Sequence, residues 1–147
     1  MKHYKLTEET LLINSIKLHR IELIIDCKFG NVGDKGGWIE NENNLSGDAW
    51  VYGNARVYGD ALVYGDARVY GNAWVYGNAW GKSPLQIQGT KHFVNECRKG
   101  FIKIGCKVKP INEWVTKFEQ IGKENEYTEK EIKEYELYIN LIKTLNT

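Results

Sequence analysis

The spacing of apolar residues along the chain changes character twice. From Asp48 to Trp80 the sequence reads DAWVYG NARVYG DALVYG DARVYG NAWVYG NAW, five complete copies of one hexapeptide and half of a sixth. In each copy Ala and Val stand two residues apart, and Val is flanked by a variable residue and Tyr. Side chains alternate faces along a strand, so Ala55 and Val57 point inward while Arg56 and Tyr58 point outward. Gly followed by Asn or Asp supplies the turn, because these residues tolerate positive φ. A short fixed period predicts a solenoid. Counting back by six from Val51 gives Leu45 and Ile39, with Asn43 and Gly37 as small partners. Counting forward gives Gly81, Ile87 and Phe93, with Ala79, Leu85 and Lys91 as partners. The repeat region is therefore expected over 36–93, with atypical end repeats that cap an open edge.

The flanks follow other periods. Residues 1–35 form an expected strand-rich cap. Tyr4, Leu6, Leu11–Ile13 and Ile16–Ile25 alternate in part, Thr7–Thr10 and Asn14-Ser15 suit turns, and the product is a small antiparallel sheet covering the first coil. The Gly-rich stretch 28–37 lacks the Gly-Lys-Ser/Thr ending of a phosphate loop and is expected to be a turn into the repeats. Residues 94–147 predict a β-hairpin turning at Arg98-Lys99-Gly100, then two α-helices. Ile111, Trp114, Val115, Phe118 and Ile121 share one face of the first, which should end at Gly122. Thr128 and Glu131 make a capping box for the second, with Tyr127 stapled on Ile132. Its apolar stripe is Ile132, Tyr135, Tyr138, Ile139, Ile142 and Leu145.

The Ala/Val pairs at 55/57, 61/63, 67/69 and 73/75 resemble the hexapeptide-repeat, left-handed β-helix family. The resemblance implies a mainly β fold: a short left-handed β-helix of about three coils, one hexapeptide per side and eighteen residues per coil. It also implies a homo-oligomer, with a trimer favoured. The segments GDKGGWIENENNLSG, FIKIGCKVKPINEWVTKFEQIG and YTEKEIKEY resemble a family of small phage and prophage proteins. That likeness implies a phage protein acting in a bacterial host cytoplasm.

Composition and chemistry narrow the function. The formal net charge of +1 argues against nucleic acid as a partner. Three Cys without short paired spacing favour a reducing compartment. No apolar stretch is long enough to cross a bilayer, and no signal segment is visible. Hexapeptide acyltransferases use a His on a coil as base. Only His92 lies near the coils here, so an acyltransferase-like enzyme using His92 is the alternative. The three-His zinc site of γ-class carbonic anhydrases has no counterpart. His92, Cys97 and Cys106 are a conceivable metal trio, but no Cys-x-x-Cys accompanies them. The reading is non-enzymatic, without cofactor or metal.

The outward positions carry the remaining chemistry. Residues eighteen apart should stack at about 4.8 Å. One column is Trp38, Arg56, Trp74, His92, beside Glu40, Tyr58, Tyr76, Val94. A second is Trp50, Arg68, Gln86, beside Tyr52, Tyr70, Gln88. The third is Asn44, Leu62, Trp80. Such a surface suits a self-supporting aromatic ladder, a subunit interface, or a ligand site in which aromatic planes and guanidinium clamp an anion. The candidate binding residues are Trp38, Arg56, Tyr58, Trp74, Tyr76, Trp50, Arg68, Tyr70 and His92. The expected function is binding: sequestering a small anionic ligand such as a signalling nucleotide, or blocking a host protein, in the manner of an inhibitor of host defence. A purely structural or assembly module is the third reading.

Overall fold

The computed structural model describes residues 2–146. They divide into two compact units, the first ending at Pro84 and the second beginning at Leu85. The expected boundary at 93 moves to Pro84.

The first unit opens with an antiparallel hairpin, β1 (Tyr4–Ile13) and β2 (Ile16–Leu23). Asn14 and Ser15 form its turn, with φ of 45° and 73°. Thr7–Thr10, expected as a turn, lies within β1. Those polar residues are absorbed by an irregularity in pairing between Leu6 and Thr10. β2 pairs antiparallel with β3 (Lys35–Ile39), and β3 pairs parallel with a repeat strand. The cap therefore joins the repeats through continuous main-chain pairing.

The repeats form two-residue strands: β4 (Trp50–Val51), β5 (Arg56–Val57), β6 (Leu62–Val63), β7 (Arg68–Val69), β8 (Trp74–Val75) and β9 (Ala79–Trp80). β3, β5 and β8 lie side by side in one sheet, β4 pairs with β7, and β6 pairs with β9. Trp38 aligns with Arg56, Arg56 with Trp74, and Trp50 with Arg68, each eighteen residues on. The rungs are tied by main-chain bonds such as Trp38 N–H to Ala55 O at 2.9 Å and Arg56 N–H to Ala73 O at 2.9 Å. Inside, Ala55, Ala67 and Ala73 and Val51, Val57, Val63, Val69 and Val75 are fully buried. Each buried Val contributes about 1.5–3 kcal/mol, and the Ala methyl is small enough to fit a narrow interior.

Both ends depart from period six. At the first, Glu42–Asn44 forms a 3₁₀ turn whose side-chain and main-chain caps are exchanged between Asn41 and Asn44. The turn rotates Asn44 inward and Asn43 out, the reverse of the expectation. Asn44 is 2% exposed, and its Nδ2 donates to Gly59 O and Ala61 O at 3.2 and 2.8 Å. An amide side chain thus stands in for the missing main-chain rung. At the other end, Leu62 aligns with Ala79 and Val63 with Trp80, a step of seventeen. Asn78, at φ 68°, takes up the missing residue. Trp80, expected on the outer surface, turns inward to 9% exposure, and its Nε1 donates to Gly77 O at 2.7 Å. The rungs expected at Gly81, Ile87 and Phe93 do not form.

The second unit begins instead with a four-stranded antiparallel sheet: β10 (Gln86–Gln88), β11 (Phe93–Arg98), β12 (Phe101–Ile104) and β13 (Lys107–Pro110). The expected hairpin is its middle pair. Helices α1 (Ile111–Glu124) and α2 (Glu129–Leu145) follow. Trp114, Phe118, Tyr135, Ile139 and Ile142 pack with Val94, Ile102 and Ile104 of the sheet. Trp114 Nε1 donates to Ile102 O at 2.8 Å, so the buried indole keeps a partner. The Thr128–Glu131 capping box forms as expected. α1 runs past Gly122 to Glu124, and Val115 and Leu145 lie on the exposed sides of their helices, at 39% and 62% exposure.

Corner glycines give a direct test of the stacked coils. Gly53 and Gly59 have φ of 54° and 61°; a Cβ on Gly53 meets nothing within 4 Å, whereas on Gly59 it would lie 2.8 Å from Tyr76 O. Gly53→Ala is expected to cost roughly 1–2 kcal/mol for the left-handed backbone alone. Gly59→Ala should cost more, because the neighbouring rung must also shift. Urea unfolding of both variants checks this, and equal losses would contradict the stacking of Gly59 on Tyr76.

Candidate functional site

The outward positions of the repeat are where sequence pointed, and much of that surface is spent inside the first unit. Arg20 of β2 lies over the Trp38 ring at 4.4 Å, anchored by Glu9 at 2.8 Å and by Gly36 O at 2.8 Å. Trp38 is consequently 9% exposed. Arg56 lies over Trp74 at 5.2 Å, and the Tyr58 and Tyr76 rings stack at 5.4 Å. The first column is thus a ladder Arg20–Trp38–Arg56–Trp74, extended at its start by a residue of the hairpin. His92, expected at its far end, belongs to the second unit.

The second column is covered. Phe29, from the loop after β2, stacks on Trp50 at 5.5 Å with only 10° between planes. Arg68 lies over the Phe29 ring at 4.6 Å, with Nη1 donating to Asp48 O and Asp66 O at 2.9 and 2.6 Å. Lys28 bridges Asp48 and Asp66 at 3.4 and 3.7 Å. Trp50 falls to 2% exposure and is no surface residue, which corrects its assignment as a contact. Tyr70, 43% exposed, keeps its place on the surface. Sequence reasoning missed Phe29 and Arg20 because their partners lie in other segments; an aromatic inside a Gly-rich loop was the available signal.

The concavity with the form of a site lies in the second unit. A cavity of about 70 Å³ opens between the β12–β13 turn and the α1–α2 turn. Ile104, Trp114, Phe118, Gly122 and Tyr127 form its buried wall, and Cys106, Lys107 and Asn125 are the exposed members of its lining. His92 and Tyr127 close one side with rings stacked at 5.6 Å and His92 Nδ1 hydrogen-bonded to the Tyr127 hydroxyl. Tyr135 fixes the loop that carries His92. Its hydroxyl accepts from Lys91 N at 2.8 Å and donates to His92 O at 3.0 Å. Lys91 reaches across the Tyr127 ring, its Nζ 4.8 Å from the centroid and donating to Asn125 O and Glu126 O just past α1. A cation there also complements the negative end of that helix.

The matches to known families agree with the architecture. Residues 49–65, 61–77 and 67–80 match the model of the YdcK beta solenoid repeat. Residues 49–80 are a β-solenoid repeat. No curated protein matches the chain. The β-solenoid repeat accounts for β4 to β9, and the cavity-bearing unit lies outside the matched segment. Among the described residues no three His, Cys, Asp or Glu side chains gather as metal ligands would, so His92, Cys97 and Cys106 are not brought together as one. Cys97 is fully buried in β11 and Cys106 is exposed. No helix among the described residues is long and apolar enough to cross a membrane.

Burial, reinforced by Lys91 and Lys103 and opposed by Glu131, lowers the affinity of His92 for a proton. The folded state therefore binds fewer protons than the unfolded one below the ordinary His pKa of 6.5. Stability contributed by the neutral ring is complete above that value and is lost as pH falls from it through the lower folded value. His92→Gln should flatten the pH dependence of unfolding of the second unit between pH 7 and pH 5. An unchanged slope in chemical denaturation would contradict this.

Proposed function

We propose that the protein is a non-enzymatic binding protein whose C-terminal unit holds the binding cavity. The observation that carries this reading is the apolar cavity of about 70 Å³ beside Lys107 and the Lys91–Tyr127–His92 cluster. Aromatic walls with a few placed polar groups are the usual makeup of a ligand site. Size decides what enters. An engineered apolar cavity of about 150 Å³ takes one benzene, so this one takes a branched aliphatic group of a few carbons and not a purine. The lysines favour a negative charge at the mouth. The ligand class is thus a small anion with an aliphatic body, offered free or as the side chain of an acidic segment on a host protein.

The wider reading keeps the left-handed coil, about three coils long, in a homo-oligomer with a trimer favoured, acting as a phage protein in the host cytoplasm against a host defence. Positive-φ glycines at 53, 59, 65 and 71 and the eighteen-residue stacking support the coil. Tyr64, 41% exposed on the solenoid, supports an interface. Native mass spectrometry should show an oligomer; a monomer at all concentrations would remove that part of the reading.

Isovalerate is a suitable probe of the cavity. In a ¹⁵N–¹H titration its binding, expected at roughly millimolar affinity for so few atoms, should shift the amides of Gly105, Cys106 and Gly122. Ile121→Trp should fill the cavity and abolish those shifts, and Lys107→Glu should weaken them. Shifts that persist in Ile121→Trp, or none in the parent protein, would overturn the assignment.

A further inference from the structure

Just before the N-terminal strand lies a buried polar atom that nothing satisfies. His3 is 7% exposed, and its Nε2 has no hydrogen-bond partner. The ring sits in an aromatic cage, 5.5 Å from Tyr4, 5.3 Å from Phe29 and 5.3 Å from Trp50. Three elements meet there. The residue before β1 is His3 and its first is Tyr4, the loop after β2 supplies Phe29, and β4 supplies Trp50. The main chain fastens the first two together, Ile24 N–H donating to His3 O at 2.9 Å. A neutral imidazole can leave one nitrogen bare at modest cost. An imidazolium there would carry a second N–H with no acceptor, which burial penalises heavily.

We propose that His3 is a protonation-sensitive latch: its neutral ring holds the Phe29 loop closed over Trp50 and Arg68, and its protonation releases that loop. The charged groups around the ring are accounted for. Asp48 on the connection to β4 attracts a proton, as does the Ala49 backbone, whereas Lys28 in the loop and Arg68 on β7 repel it. Tyr4 is held by its own bonds, its hydroxyl donating to Leu45 O at 2.8 Å and lying 3.0 Å from Glu42 O, and burial pushes it up to about 12, so it stays neutral throughout. Burial is the largest influence on His3 and lowers its proton affinity below the ordinary 6.5. The sign follows: the closed loop is fully favoured above that value and is lost as pH falls through the lower folded one.

Release has a specific consequence. Trp50 and Arg68 are the outward residues of one solenoid face; Phe29 covers Trp50 and packs against the half-exposed Arg68. Acidification therefore uncovers an indole that is buried at neutral pH and frees the half-exposed guanidinium beside it from the Phe29 ring.

Hydrogen exchange followed by mass spectrometry at pH 7.5 and pH 5, corrected for intrinsic rates, reads the latch on the full chain. Protection of 24–34 and of 48–52 is expected to be lost in part at the lower pH, both segments together. His3→Phe fills the cage without a titrating group and should hold both segments protected at both pH values. Unchanged protection in the parent protein would overturn the latch. So would an equal fall in His3→Phe, which would place the titrating group elsewhere. Should His3→Phe perturb folding, the imidazole titration of the parent protein by NMR serves in its place. A His3 value at or above 6.5, or loop resonances that do not move with the His3 titration, would likewise overturn it.

Discussion

Everything in the first unit depends on the main-chain bond that crosses from one rung to the next. Trp38 N–H reaches Ala55 O, and Arg56 N–H reaches Ala73 O, one coil later in each case. Strands of two residues have almost no cooperativity of their own. They persist because each is paired along the stack, and the stack holds its register because the Ala/Val pairs fill its interior rung after rung. The outward residue at every step is then fixed in a column by the same geometry. Guanidinium over indole and phenol on phenol follow from the register and add to it.

A stack of this kind has two open ends, and their closure explains where the repeat was legible and where it was not. The Ala/Val alternation is repeated so strictly from Ala49 to Val75 that its inward and outward faces could be assigned from sequence. Asn44 and Trp80 could not be assigned by the same count. Asn44 turns inward because a 3₁₀ turn precedes it and its amide can replace a main-chain rung. Trp80 turns inward because Asn78 adopts a left-handed backbone and shortens the last step to seventeen. Each is a local choice between a continued ladder and a plug for the core, decided by contacts across coils that a linear period does not encode.

The candidate sites show the same limit in another form. Trp50 and Arg68 read as surface chemistry because the repeat places them outward, and they do point outward. Phe29 then covers Trp50 and packs on Arg68, from a loop that the sequence marked only by its glycines. Conversely, the cavity in the second unit is assembled from His92, Gly105, Trp114 and Tyr127, spread over thirty-six residues and three kinds of element. The Tyr127 side chain was legible as a helix staple. Its contact with His92 required knowing that Tyr135 fastens the intervening loop. Helices and caps follow from local pattern, whereas concave sites follow from how distant elements meet.

The central claim is that the tryptophans Trp38, Trp50 and Trp80 of the solenoid are internal and offer no surface for recognition. Solvent paramagnetic relaxation of the tryptophan indole protons tests it most directly, using a neutral soluble relaxation agent at neutral pH. The account predicts that Trp38, Trp50 and Trp80 are shielded nearly as well as the fully buried Trp114, because Arg20, Phe29 and the inward turn at Asn78 remove them from water. Strong relaxation of Trp50 and Trp38 would contradict it and return those columns to the protein surface.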